Sequence, residues 1–208
     1  MESFKNFYNR QGDTWSTKPT VAIVPGSFKP PHKGHYEMIR QYSQLAYRVL
    51  VLISAPSAKS QRETKDGKII TPEMAKKILE IYTAGLGNVD IEISPTPSPV
   101  GATYEALETM SNNPPAESIT RPRVVLGSSK KDDDWKRWSG VHAWVAKNEL
   151  NVDIVDPQMT AVDVVEKPTG EPYSATNIRN NFDDPDKVSE DLPDHADPVQ
   201  VYSILSSV

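Results

Sequence analysis

The chain contains no cysteine, which excludes a disulfide framework and any cysteine-ligated metal site. Only four histidines are present, so a histidine-based metal centre has few ligands to draw on, and no protein-held metal is expected. No apolar run approaches the length of a bilayer-spanning helix. The polar stretch Met1 to Lys18 also lacks the apolar core of a secretory signal. From these absences a cytoplasmic location, with no membrane partner, is the default expectation. Cations are scarce as well: 23 Lys and Arg face 28 Asp and Glu, a formal net charge of −5. A general nucleic-acid binder needs a cationic surplus for its phosphate contacts, so no nucleic-acid partner is expected. A small polyanionic ligand stays admissible, held by a few local cations and by helix ends.

What remains is a soluble-type composition, 37% hydrophobic and 25% charged over 208 residues, enough for one sizeable α/β domain. Strand candidates recur at Val21–Val24, Arg48–Ser54, Val89–Ser94, Val124–Gly127 and Val152–Val155. Helical patterns lie between them at 34–46, 72–85, 100–111 and 134–148. This alternation of short apolar strands with helices points to βαβ units and a parallel sheet. Thr71-Pro72 and Asp197-Pro198 each read as an N-cap followed by a first helical position, the latter opening a final helix over 198–206. Residues 1–18 read as a polar leader that packs through Phe4, Phe7, Tyr8 and Trp15, and 19–208 as one domain. Ala55–Lys68 reads as a mobile loop, and Asp183–Asp197 as an acidic surface linker.

The most informative segment is Gly26-Ser27-Phe28-Lys29-Pro30-Pro31-His32-Lys33-Gly34-His35. It follows an apolar strand and opens a helix. Gly26 permits a tight turn and close approach to a ligand, and the prolines stiffen the exit from the sheet. His32 and His35, three residues apart, share one side of the first helical turn. Free N–H groups at a helix start, with imidazoles beside them, form a phosphate site. Such donors act on the charge that builds during substitution at phosphorus.

These residues resemble the Gly-x-Phe-x-Pro-x-His-x-Gly-His signature of the nucleotidylyltransferase superfamily, which includes mononucleotide adenylyltransferases, pantetheine-phosphate adenylyltransferases and small cytidylyltransferases. The resemblance implies a Rossmann-like α/β/α fold with the site at the carboxyl ends of the strands, where the topological rule also places it. It further implies that His32 and His35 contact the triphosphate, within a binding turn made of Gly26, Ser27, Phe28, Lys29 and Gly34. Lys29 stands where the family usually has an acid or a glutamine.

Downstream, Tyr173-Ser174-Ala175-Thr176-Asn177-Ile178-Arg179 sets two hydroxyl residues at a helix start, with an arginine one turn further in. Hydroxyls, free amides and a bidentate guanidinium suit β- and γ-phosphate oxygens. The segment resembles the superfamily's Ile-Ser-Ser-Thr-x-Ile-Arg signature, with Tyr173 and Ala175 as departures. Finding both motifs in order is more specific than either alone. Ile178 and Arg179 favour adenylyl over cytidylyl transfer.

Weaker signals lie between the motifs. After the fourth strand, Gly127 and Ser128 are expected to reach the nucleotide through backbone groups, with Asp132 as another candidate for that contact. Asp132–Asp134 read chiefly as an acidic helix start, with Mg²⁺ or the acceptor as the other reading. Trp135, Trp138, Val141 and Val145 recur at helical spacing and read as core, with Trp144 and His142 on neighbouring faces. Arg62 and Lys65 are candidates to close over a triphosphate. The expectation is therefore transfer of AMP from ATP, with Mg²⁺, to a phosphorylated small molecule, releasing pyrophosphate. His32, His35 and Arg179 would be catalytic; Ser174 and Thr176 would bind nucleotide. A cytidylyltransferase and a silent nucleotide-binding regulator are the alternatives. Acceptor identity and assembly into a homo-oligomer stay open.

Overall fold

The computed structural model describes residues 21–55, 61–113 and 121–207, so the leader lies outside the described residues. Five strands form one wholly parallel sheet: β1 (Val21–Gly26), β2 (Arg48–Ile53), β3 (Val89–Ile93), β4 (Arg123–Leu126) and β5 (Asp153–Ile154), in the order β3-β2-β1-β4-β5. Helices α1 (Lys33–Leu45), α2 (Pro72–Thr83), α3 (Pro99–Asn112) and α4 (Val141–Lys147) supply the crossovers. The short α5 (Pro157–Thr160), α6 (Ala175–Asn180), α7 (Pro185–Ser189) and α8 (Pro198–Ser206) follow among the described residues.

Strand periodicity explains the two layers. Ala22 and Val24, with Val49, Val51 and Ile53, face α1, α2, α6 and α8, meeting Ile39, Tyr42, Ile78, Leu79, Ile178 and Leu205. Val21, Ile23, Leu50 and Leu52 face α3 and α4, meeting Ala106, Leu107, Met110, Trp138 and Val141. Because both faces are covered, β1 and β2 read in sequence as unbroken apolar runs. Each fully buried Val, Leu, Ile or Met side chain among these contributes about 1.5–3 kcal/mol relative to exposure. This is the Rossmann-like α/β/α arrangement expected. The strand order reverses between β1 and β4, which opens a crevice at their carboxyl ends.

The helix starts are capped as the sequence predicts. Thr71 accepts from the Met74 N–H with Pro72 at the first position, and Asp197 accepts from the Val199 N–H ahead of Pro198. Two readings need correction. The helix expected at 134–148 is a 3-10 segment over Lys131–Trp138, kinked where Asp132 and Asp133 take left-handed backbone angles (φ 53° and 54°), and then α4 after a turn at Ser139-Gly140. Of its apolar stripe, Trp138 and Val141 are buried and Trp135 and Val145 are half-buried, while Trp144 on a neighbouring face meets Tyr104 in a tilted contact with centroids 4.4 Å apart. The acidic stretch 183–197 is no surface linker: it contains α7 and buries Val188, Leu192 and Ala196 in the core with Asp191. Its apolar positions are too sparse to show a period, yet they cover the α1–α2 face. No helix among the described residues is long and apolar enough to cross a membrane.

Candidate active site

The turn from β1 into α1 is built around Phe28. Its backbone lies in the left-handed region (φ 50°) and its ring is buried, folding back over Gly26. A Cβ at Gly26 would stand 2.8 Å from the ring's Cζ, so only glycine leaves room. The same ring meets His35 edge-on at 5.0 Å between centroids. The peptide from Lys29 to Pro30 is cis. Ser27 Oγ lies 3.2 Å from Ser54 Oγ at the end of β2, while the Ser54 N–H donates to the Gly26 carbonyl.

His32 and His35 stack with centroids 3.7 Å apart. A Cβ at Gly34 would come 3.0 Å from His32 Cε1, so the missing side chain lets the His32 ring lie against the helix. The His32 backbone N–H donates to His35 Nδ1 at 3.2 Å. That bond makes Nδ1 an acceptor, so neutral His35 carries its proton on Nε2, ready to donate to a ligand. Burial pushes the His32 pKa down to about 4, with the Lys167 ammonium adding to the effect. Burial and then the neighbouring His32 push His35 well below the ordinary imidazole range. Both rings are thus neutral donors near pH 7. His32 Nδ1 is itself buried with no hydrogen-bond partner among the described residues.

The second motif arrives at this turn. Ser174 caps α6, its Oγ accepting from the Thr176 N–H at 3.1 Å. Arg179 spans the gap: Nη2 donates to Thr176 Oγ1 at 2.9 Å and Nη1 donates to the Lys29 carbonyl at 2.5 Å. Lys29 is only 4% exposed; burial and then Arg62 lower its pKa, and the same two causes lower that of Arg179. Lys29, Arg62 and Arg179 therefore gather positive charge on one side of the histidine turn. Lys65 faces elsewhere, its backbone N–H on the Arg179 carbonyl and its ammonium on Asp183 at 2.9 Å. Residues 56–60 of that loop lie outside the described residues.

The β4 end is tied back into the protein. Gly127 packs against β1, where a Cβ would stand 2.9 Å from the Ile23 carbonyl oxygen and Val24 Cα. Its N–H donates to Ile23, and its carbonyl accepts from Arg137 and Trp138. The Ser128 N–H donates to the Tyr42 hydroxyl, and the Ser128 carbonyl accepts from Tyr42 and from the Val162 N–H. These backbone groups are thus hydrogen-bonded within the protein. Asp134 accepts from the Ser129 N–H and approaches Arg137, whereas Asp132 and Asp133 are exposed. Asp133 pairs with Lys136, and Lys130 with Asp163.

Sequence reasoning missed Tyr42, Lys167 and Asp191 as parts of this region. Tyr42 sits at a core-facing helical position and hides a polar role. Asp191 lies in a stretch where acids are common, so nothing singles it out. Among the described residues no group of three or more His, Cys, Asp or Glu side chains converges to hold a metal. The site's own groups are N–H, hydroxyl, guanidinium and ammonium donors, which suit an anion.

A family model described as cytidylyltransferase-like matches residues 23–181. A phosphopantetheine adenylyltransferase from Micrococcus luteus is 46% identical over 48 residues, 23% of this chain and 31% of that protein. The enzyme of the same name from Rubrobacter xylanophilus is 33% identical over 73 residues, 35% and 40% of the two chains. The matched segments thus span well under half the length of these relatives. Among solved structures, a bifunctional NMN adenylyltransferase/ADP ribose pyrophosphatase from Francisella tularensis, complexed with AMP and a manganese ion, superposes with a TM-score of 0.53 at 14% identity. That superposition covers 90% of this chain and 48% of the other, a likeness of fold. With both signature turns inside the matched span and meeting at one sheet edge, the chain belongs to the cytidylyltransferase-like family of nucleotidylyltransferases.

Proposed function

We propose that the protein transfers AMP from ATP to a phosphorylated small molecule and releases pyrophosphate. The observation that carries this reading is the meeting of two distant turns, with Arg179 bonded to Lys29 beside the stacked His32 and His35. An acceptor phosphate oxygen attacks the α-phosphorus. The bond from that phosphorus to the bridging oxygen breaks, and pyrophosphate leaves with the electron pair. A phosphate acceptor is already ionised, so no general base is needed and positioning with charge stabilisation suffices. His35 Nε2–H donates to the α-phosphate as charge builds there, and His32 attends the bridging oxygen. Ser174, Thr176 and Arg179 hold the β- and γ-phosphates. Mg²⁺ would come with ATP as its counter-ion, neutralising the triphosphate, since the surrounding side chains are anion donors.

The retained Ile178-Arg179 pair and the short matches to phosphopantetheine adenylyltransferases favour ATP over CTP. Incubation with ATP or CTP and a panel of acceptors, with pyrophosphate as the readout, tests this. The panel should include nicotinamide and nicotinate mononucleotides, phosphopantetheine and sugar phosphates. ATP-dependent release with one acceptor class is expected. Nucleotide binding without release across the whole panel would favour a silent regulator.

A further inference from the structure

Asp191 connects the two signature turns. It is 1% exposed, in the turn after α7, and uses three acceptor atoms. Its Oδ1 accepts from the Ser174 backbone N–H at 3.0 Å, at the cap of α6. Its Oδ2 accepts from Lys167 Nζ at 2.8 Å. Its main-chain carbonyl accepts from the Lys33 N–H at 2.7 Å, at the first residue of α1 and directly after His32. Tyr173 lies between the two lysines, with Lys33 Nζ 5.6 Å and Lys167 Nζ 6.0 Å from its ring centroid. Its Cβ would stand 3.5 Å from a Cβ built on Gly34. The histidine turn and the Ser174 turn are thus fastened to one buried residue. This tie adds to the direct Arg179–Lys29 bond and to the packing of Ile178 in the core.

A buried ion pair contributes little net stability, since desolvation offsets most of its Coulomb energy. A carboxylate that also holds a specific backbone N–H in place fixes geometry instead. From this arrangement we infer that Asp191, with Lys167 as its counter-ion, is a positioning residue. It holds the Ser174–Arg179 turn against the His32–His35 turn at the separation a triphosphate requires. The inference rests on the reading that these turns grip ATP.

Two neutral replacements of the pair distinguish positioning from folding. In Asp191→Asn with Lys167→Gln, the Asn oxygen still accepts from Ser174 and its amide donates to Gln. This double variant should keep the wild-type ratio of ATP to AMP affinity, measured by calorimetry. In Asp191→Ala with Lys167→Met, the charges leave together but the Ser174 N–H loses its acceptor. ATP affinity should fall about tenfold, the scale of one hydrogen bond to a charged group, while AMP affinity stays as it was. Equal ATP-to-AMP ratios in both folded variants would overturn the inference. So would a parallel loss of both ligands. If the second variant does not fold, hydrogen exchange in the unliganded wild type decides: the Ser174 amide should be protected, and free exchange there sinks the idea. Wild-type protein that binds no ATP at all would instead sink the functional reading.

Discussion

Arg179 Nη1 donates to the backbone carbonyl of Lys29 at 2.5 Å, a bond between residues 150 apart in sequence. Through it the guanidinium that ends the second signature leans on the turn that begins the first. The other arm of the fork holds Thr176 Oγ1. Arginine alone can do both, because its donors lie in one rigid plane.

Arg179→Lys should therefore keep the charge and lose the fork. The KM for ATP is expected to rise at least about tenfold, with a stability loss of about 1 kcal/mol for the missing hydrogen bond. Steady-state pyrophosphate release and denaturant titration measure the two effects separately. An unchanged KM would show that the arginine serves only packing.

His35→Ala removes the Nε2 donor and the edge contact to Phe28. Turnover should drop on the order of 10²–10³, as when a preorganised oxyanion donor is removed, while circular dichroism stays that of the wild type. Near-wild-type turnover would refute the role given to this ring.

The depressed imidazole pKa values have a sign. Unfolded histidine titrates near 6.5, whereas His32 in the folded protein titrates at about 4 and His35 lies lower than its usual range. Between those values the unfolded chain binds more protons, so this contribution is complete above pH 6.5 and is lost as pH falls toward 4. Thermal unfolding of the wild type should weaken across that window more than that of His32→Gln. The difference between the two curves isolates the histidine from the carboxylates. Parallel curves would mean that His32 is not desolvated.

Glycine substitutions should sort by what a new Cβ meets. Gly127→Ala drives a methyl against the β1 backbone at 2.9 Å and should cost about 1–3 kcal/mol, the scale of overpacking. Gly26→Ala meets the buried Phe28 ring at 2.8 Å and should also disturb the histidine turn, lowering activity as well as stability. Gly140→Ala meets nothing within 4 Å and should be neutral or slightly stabilising. Melting temperatures of the three variants provide the check.

Tyr42→Phe deletes the hydroxyl shared by the Ser128 N–H and the Ser128 and Thr160 carbonyls. Leaving that amide unpaired in the core should cost about 1–3 kcal/mol by chemical denaturation. An unchanged midpoint would mean that water takes the hydroxyl's place.

Much of this architecture was legible before any coordinates. Val21–Val24 and Arg48–Ser54 are apolar enough to require burial on both faces, and Thr71-Pro72 and Asp197-Pro198 mark helix starts by local chemistry alone. The two signature segments carry their residue types in fixed spacing, so His32, His35, Ser174, Thr176 and Arg179 could be named as candidates from sequence. Each of those readings depends on residues within a few positions of one another.

What sequence could not decide is wherever the deciding partner is distant along the chain. Nothing in the sequence tells that Tyr42, Arg137 and Trp138 bond the backbone groups of Gly127 and Ser128. Acids between 183 and 197 looked solvated, but the fold draws Asp191 inward to two turns that lie far apart in sequence. Hydrophobic period and capping are local and survive in a string of letters. A buried polar atom's partner is chosen only when the chain closes on itself, because the cost of leaving it unpaired is then met by whichever group packing brings within reach.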